Sequence, residues 1–137
     1  MADGYATDLQ KGLRAALVAD ADVLALVSTR VYDKPPSSPT YPFIRFGGFD
    51  VDHNDTDCTL SAFVTVSIEA HSRSISGKIE ATRIGEAIRA VLHRGESGVT
   101  LANFALIELI ELSSLVTRNP DGEAFTGVTV FRAYLDA

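Results

Sequence analysis

Three patterns in the sequence predict an α+β fold: a mainly antiparallel sheet with helices packed on one face, in the order α-α-β-β-β-α-β-β. The first is alternation over residues 60–70, where Ala62, Val64, Val66 and Ile68 fall on one side and Phe63, Thr65, Ser67 and Glu69 on the other. Period two with one apolar face is the mark of a half-buried strand. The second is a helical stripe ending near His93, in which Ile79, Ile84, Ala87, Ile88, Val91 and Leu92 return at helical spacing. The third is a pair of apolar runs, 99–117 and 125–135, that flank Asn119, Pro120, Asp121 and Gly122. Proline's fixed φ and glycine's freedom set a turn there, so the two runs are expected to pair as an antiparallel hairpin. Hairpin-length links dominate, and the strand after the 75–93 helix is read as a candidate for one parallel exception.

The remaining elements follow in chain order. Leu9, Leu13, Ala16 and Leu17 recur at helical spacing and predict a helix over 5–19, with Asp3 or Thr7 available to its first free amides. Asp20 stands as the N-cap of a second short helix carrying Val23, Leu24, Leu26 and Val27. Arg30, Val31 and Tyr32 read as a short strand. Lys34 to Pro42 then includes Pro35, Pro36, Pro39 and Pro42, which offer no amide to a ladder, and is read as an extended loop. Phe43 to Phe49 is rich in aromatic and β-branched residues and reads as a strand, followed by a polar, acidic loop or hairpin from Asp50 to Asp57. Ser74 or Ser76 caps the next helix and Gly95 stops it. The segment Phe104 to Val116 is apolar on both faces, since Ala105, Ile107 and Leu109 oppose Phe104, Leu106 and Ile110. That pattern suits a central strand covered by a helix on one side and a partner subunit on the other, or the core of a two-layer monomer.

Composition bounds the function. A chain of 137 residues with 46% hydrophobic and 22% charged residues is expected to form one domain, 1–137, with a real core. Twelve Lys and Arg against 18 Asp and Glu leave a net charge of −6, which opposes a broad phosphate-binding surface. The longest apolar stretch, Leu101 to Leu112, is broken by Asn103, Glu108 and Glu111, so no membrane-spanning helix is expected. Asp3 and Asp8 stand where a secretory signal would carry a basic start, and synthesis in a cytoplasm is expected. A single cysteine, Cys58, closes no internal disulfide.

No pattern assembles a reactive centre, and neither a metal nor another cofactor is expected. Asp50, Asp52 and Asn54 begin like a calcium loop, but Asp55 occupies the position of its obligatory glycine and Ser61 that of its bidentate glutamate. Ser76, Gly77 and Lys78 end like a phosphate-binding loop, yet Ser72 replaces its first glycine and Ile79 its final hydroxyl residue. His53, His71 and His93 are scattered over separate elements. The carboxylates around Cys58 oppose a nucleophilic thiolate, and the spacing of Glu108 and Glu111 does not require them to converge. The chain is therefore not read as an enzyme.

Several local patterns, in this order, resemble the tail-completion, or tail-terminator, family of long-tailed bacteriophages and phage-like gene transfer particles. They begin with the helix carrying Leu9, Gln10, Leu13 and Leu17, then Arg30, Val31 and Tyr32, then the proline-rich approach to Tyr41, Pro42, Phe43 and Ile44. Gly47, the alternating strand 60–70 and the helix ending at Leu92 and His93 follow. Thr117, Arg118, Asn119, Pro120, Asp121 and Gly122 come next, and Gly127, Val128, Val130, Phe131, Arg132 and Ala133 complete the series. The resemblance covers nearly the full length and carries no catalytic residues. It implies a homo-oligomeric ring, usually a hexamer, at the head-proximal end of the tail tube. Such a ring ends tube polymerisation and meets the head-tail connector or stopper protein, while DNA passes through its lumen without specific binding. On this reading Asp50, Asp52, Asp55 and Asp57 are candidate lumen or loop residues, and Arg118, Asn119, Pro120, Asp121 and Gly122 form a candidate assembly-contact loop. The rival reading is a small ligand- or protein-binding module acting as a monomer or dimer.

Overall fold

Leu9, Leu13 and Leu17 are fully buried along one side of the first helix, α1 (Tyr5–Ala19), so the helix lies flat on the core as its spacing requires. The structure is a computed structural model that describes residues 3–75 and 77–137. No side-chain cap closes the start of α1: Gly4 takes the N-cap position, and Asp3 instead pairs with Lys11 at 2.7 Å. Thr7 lies inside the helix. The second helix, α2 (Ala21–Val27), is capped as expected, with the Val23 amide donating to Asp20 Oδ2 at 3.0 Å.

Five described strands make one sheet: β1 (Val31–Tyr32), β2 (Phe43–His53), β3 (Ser61–Ser72), β4 (Ala105–Arg118) and β5 (Phe125–Asp136), in spatial order β1-β2-β3-β5-β4. The third helix, α3 (Ile79–Leu92), follows β3, and a single 3₁₀ turn at Glu96–Gly98 precedes β4. The fold is α+β in the expected order. On β3 the residues Ala62, Val64, Val66, Ile68 and Ala70 are buried, and Phe131, Ala133 and Leu135 of β5 share their face. Against that face pack Leu9, Leu13 and Leu17 of α1 and Ile84, Ile88 and Leu92 of α3. Each fully buried Leu or Ile side chain contributes about 1.5 to 3 kcal/mol of transfer free energy. No described helix is long and apolar enough to cross a membrane.

Five expectations are corrected. The parallel pair is β1 with β2, not the strand after α3: the proline-rich loop returns the chain so that Ile44 donates to the Arg30 carbonyl at 2.9 Å, while β4 pairs antiparallel with β5. The doubly apolar segment is not central. It begins at Ala105 and forms the sheet edge, where bulges between Leu106 and Glu108 and between Glu111 and Ser113 reset the alternation. Ile107 and Leu112, the extra residues at these bulges, are each 51% exposed. Ile79 of the α3 stripe is exposed as well, at the first residue of the helix, and burial begins only with Ala81. The N-cap of α3 is Lys78 with no side-chain bond, and the expected alternative Ser76 lies outside the described residues. At the other end the left-handed residue is Arg94 (φ 55), held by its amide on the Leu109 carbonyl at 2.8 Å. Gly95 serves close approach instead, since a Cβ there would overlap the Val91 carbonyl oxygen.

Candidate assembly surfaces

The strand register sends the two candidate segments to opposite ends of the sheet. At one end His53, Ala62, Leu135 and Leu106 stand side by side; at the other, Phe43, His71, Thr126 and Thr117. Between the pairs Ala62–Leu135 and Ser72–Phe125 lie ten residue steps, which at about 3.3 Å each is about 33 Å.

The acidic segment is divided. Asp50 and Asp52 belong to β2 and not to a loop, because β2 continues past a two-glycine bulge and keeps its ladder to β3. Paired with Thr65 and Phe63, they project from the face opposite the helices. Asp55 and Asp57 sit on the tip between β2 and β3, where Asn54 donates to the Ser61 carbonyl at 2.9 Å and Thr56 to the Thr59 carbonyl at 2.8 Å. Asp55 Oδ1 also receives the Ser61 amide at 3.2 Å. The four carboxylates are exposed, as are Cys58 and Leu60, the latter 57% accessible.

At the far end, Asp121 Oδ1 accepts the amides of Glu123 (3.0 Å) and Ala124 (3.1 Å), and Gly122 supplies the positive φ of 74° that the turn needs. These amides, Glu123 first, hold the Asp121 carboxyl below the usual carboxylate range, helped by Arg73. Arg73 lies 3.6 Å from both Asp121 and Glu123 and stacks over Tyr41, while Arg118 lies over the Phe125 ring at 5.8 Å. Thr126 donates to Asn119 at 2.8 Å and Pro120 is exposed. Arg73, Ile75, Arg118, Gly122, Glu123 and Phe125 border an open groove of about 520 Å³ between the β3–α3 connection and the β4–β5 turn.

One feature was invisible to sequence reasoning and a second was only half foreseen. Asp8, 1% exposed on α1, accepts three backbone amides, from Ala102 (3.1 Å), Asn103 (3.0 Å) and Phe104 (3.2 Å), and so fixes the approach to β4. The helix-free face of the sheet also carries an apolar centre of Ile110, Leu115, Val128 and Val130 beside the Phe63–Tyr134 ring pair. The side-chain groups weighed for chemistry stay apart. His53 packs on Tyr5, His71 pairs with Glu69 at 2.9 Å, and His93 Nδ1 accepts the Glu111 amide at 3.0 Å. Glu108 and Glu111 face opposite sides of β4, the latter paired with Arg89 of α3. Among the described residues no three His, Cys, Asp or Glu side chains are placed to hold a metal ion.

What this geometry offers is surface: two chemically different ends and one uncovered sheet face, the layout of a structural assembly subunit. The pattern of the tail completion protein gp17 family matches residues 11–136. The chain belongs to that family and is a structural tail completion protein of phage-like virions. No curated protein matches it. Sixteen chains of solved structures do. Among them is a chain of the virion of a native gene transfer agent particle, with 25% identity and a TM-score of 0.89, the match covering 99% of this chain and 100% of that one.

Proposed function

We propose that the chain forms a homo-oligomeric ring, six copies being the favoured number, at the head-proximal end of a tail tube. The observation that carries this reading is the end-to-end likeness to a chain of a gene transfer agent virion. The placement of distinct surfaces at opposite ends of one sheet supports it, because a contact between two different patches on successive copies closes into a ring when its rotation allows. A ring seated on the tube occupies the site where the next tube subunit would add, so growth stops. Its other side then meets the head connector or stopper protein. Within the ring, Asp50 and Asp52 on the uncovered face are the residues proposed to face passing DNA. A negative wall releases no counterions to phosphate and lets the duplex slide. The protein is made in the bacterial cytoplasm and ends in the particle at the head-tail interface.

Electron microscopy of a strain lacking the gene tests this reading. The expected result is filled heads without functional tails, together with tubes of uncontrolled length. Particles with tails of normal length would remove the terminator role and leave the binding-module reading in its place.

A further inference from the structure

We propose that the groove at Arg118 receives the 54–60 tip of a neighbouring copy of the chain, an inference that rests on the ring reading above. The two surfaces are complementary in both charge and hydrophobicity. The tip presents Asp55 and Asp57, neither of which pairs with a cation among the described residues, beside the exposed Leu60. The groove presents Arg118 and Arg73, the latter shared with Glu123 of the rim, over the largely buried Phe125 and beside the fully exposed Ile75.

Arg118 is the receiving cation. Its guanidinium stacks on Phe125 and has no carboxylate within 4.0 Å among the described residues, whereas Arg73 already faces Asp121 and Glu123. A guanidinium resting on an aromatic ring keeps its fork of donors free and is well suited to a carboxylate arriving from outside. Leu60 entering beside Ile75 removes exposed apolar surface from water on both partners. The tip cannot reach its own groove, because about 33 Å of sheet separates them. Each copy therefore offers its tip to the next and its groove to the one before, a head-to-tail contact that leaves no end free once the ring closes.

Cys58 places a native thiol on the tip, so the contact can be trapped in assembled particles. The deletion strain is complemented with Glu123→Cys, which puts the second thiol at the groove rim, removes a carboxylate that would repel the tip and gives up its exposed ion pair with Arg73. The particles are then treated with a mild oxidant and their proteins separated without reductant. The expected result is a ladder of multiples of the chain whose top rung counts the ring, absent when either cysteine is replaced by serine. Adding Arg118→Glu should abolish the ladder and reduce incorporation at least several-fold, with the circular dichroism of the purified variant unchanged. Normal incorporation of Glu123→Cys with no adduct, or with dimers surviving when only Cys58 remains, would overturn this contact while the ring reading stands. An intact ladder in Arg118→Glu particles that fail to deliver DNA would likewise overturn it and assign the arginine to nucleic acid. Absence of the wild-type chain from purified particles would instead remove the ring reading and this contact together.

Discussion

Replacing Asp8 with alanine should be among the most damaging single changes in the chain. The carboxylate is 1% exposed and receives the amides of Ala102, Asn103 and Phe104 at 3.0 to 3.2 Å, joining residues 94 to 96 positions apart. A hydrogen bond to a charged group is worth about 1.5 to 3 kcal/mol net. The three share one acceptor group and are not additive, so Asp8→Ala should cost about 3 to 5 kcal/mol, a large part of a typical domain stability of about 5 to 15. Asp8→Asn separates geometry from charge. Asn103 and Phe104 both donate to Oδ2 and Ala102 alone to Oδ1, so an amide with its oxygen at Oδ2 keeps two bonds and sets an N–H against the Ala102 N–H. That variant should lose about 1 to 2 kcal/mol. Urea unfolding at neutral pH, with m compared across the three proteins, is the assay. A loss below about 1 kcal/mol for alanine, or equal losses for both variants, would refute the claim that this carboxylate ties α1 to the approach to β4.

Gly12→Ala brings a Cβ to 2.5 Å from a Leu101 methyl and 3.0 Å from the Thr100 carbonyl; despite a helix-propensity gain of up to about 1 kcal/mol it should destabilise by about 1 to 3 in the same unfolding assay. Ile88→Ala removes a fully buried side chain and should cost about 2 to 5 kcal/mol, whereas Arg89→Ala, which loses only an ion pair to Glu111 from a half-exposed side chain, should cost about 1. The Asp121 carboxyl, held low by the Glu123 and Ala124 amides, should titrate by NMR below the ordinary carboxylate value of about 3.9. Its contribution to the turn is then present above that value and fades as pH falls through the lower folded-state value, so a midpoint at or above the ordinary value would contradict the bonding described.

The elements legible in the sequence were those whose pattern and packing agree at every position. On β3 the alternation is unbroken because both neighbouring strands pair with it and helices cover only one face. The bounds of α1 matched their prediction because its leucine stripe ends at Asp20, which caps the helix that follows. Misreading began where the ladder is irregular. Period-two alternation assumes one residue per position on each strand, and the two bulges of β4 each insert an extra residue, so counting across them assigns side chains to the wrong face. The direction of β1 was equally hidden: two residues carry no periodicity, and what makes the strand parallel is where the proline-rich loop delivers Phe43.

The same physics limits how far the assembly surfaces can be read. Asp50 and Asp52 look like loop residues because a strand with one face open to water mixes polar with apolar positions, as a hairpin tip does; only the ladder to Thr65 and Phe63 distinguishes the two. Asp8 resembles any acid in the first turn of a helix, for its partners are backbone amides, and an amide carries no residue signature. The groove is less visible still, being formed where Arg73 and Ile75 at the end of β3 meet Arg118 and Phe125 of the hairpin, more than forty residues later. Each half is locally an ordinary connection. Their meeting follows from the pairing of Ser72 with Phe125 in the long β3–β5 ladder. That same ladder holds the acidic tip at the opposite end, so the separation a head-to-tail contact requires comes from the length and register of the two central strands, and a slip of one residue in either would turn both surfaces away together.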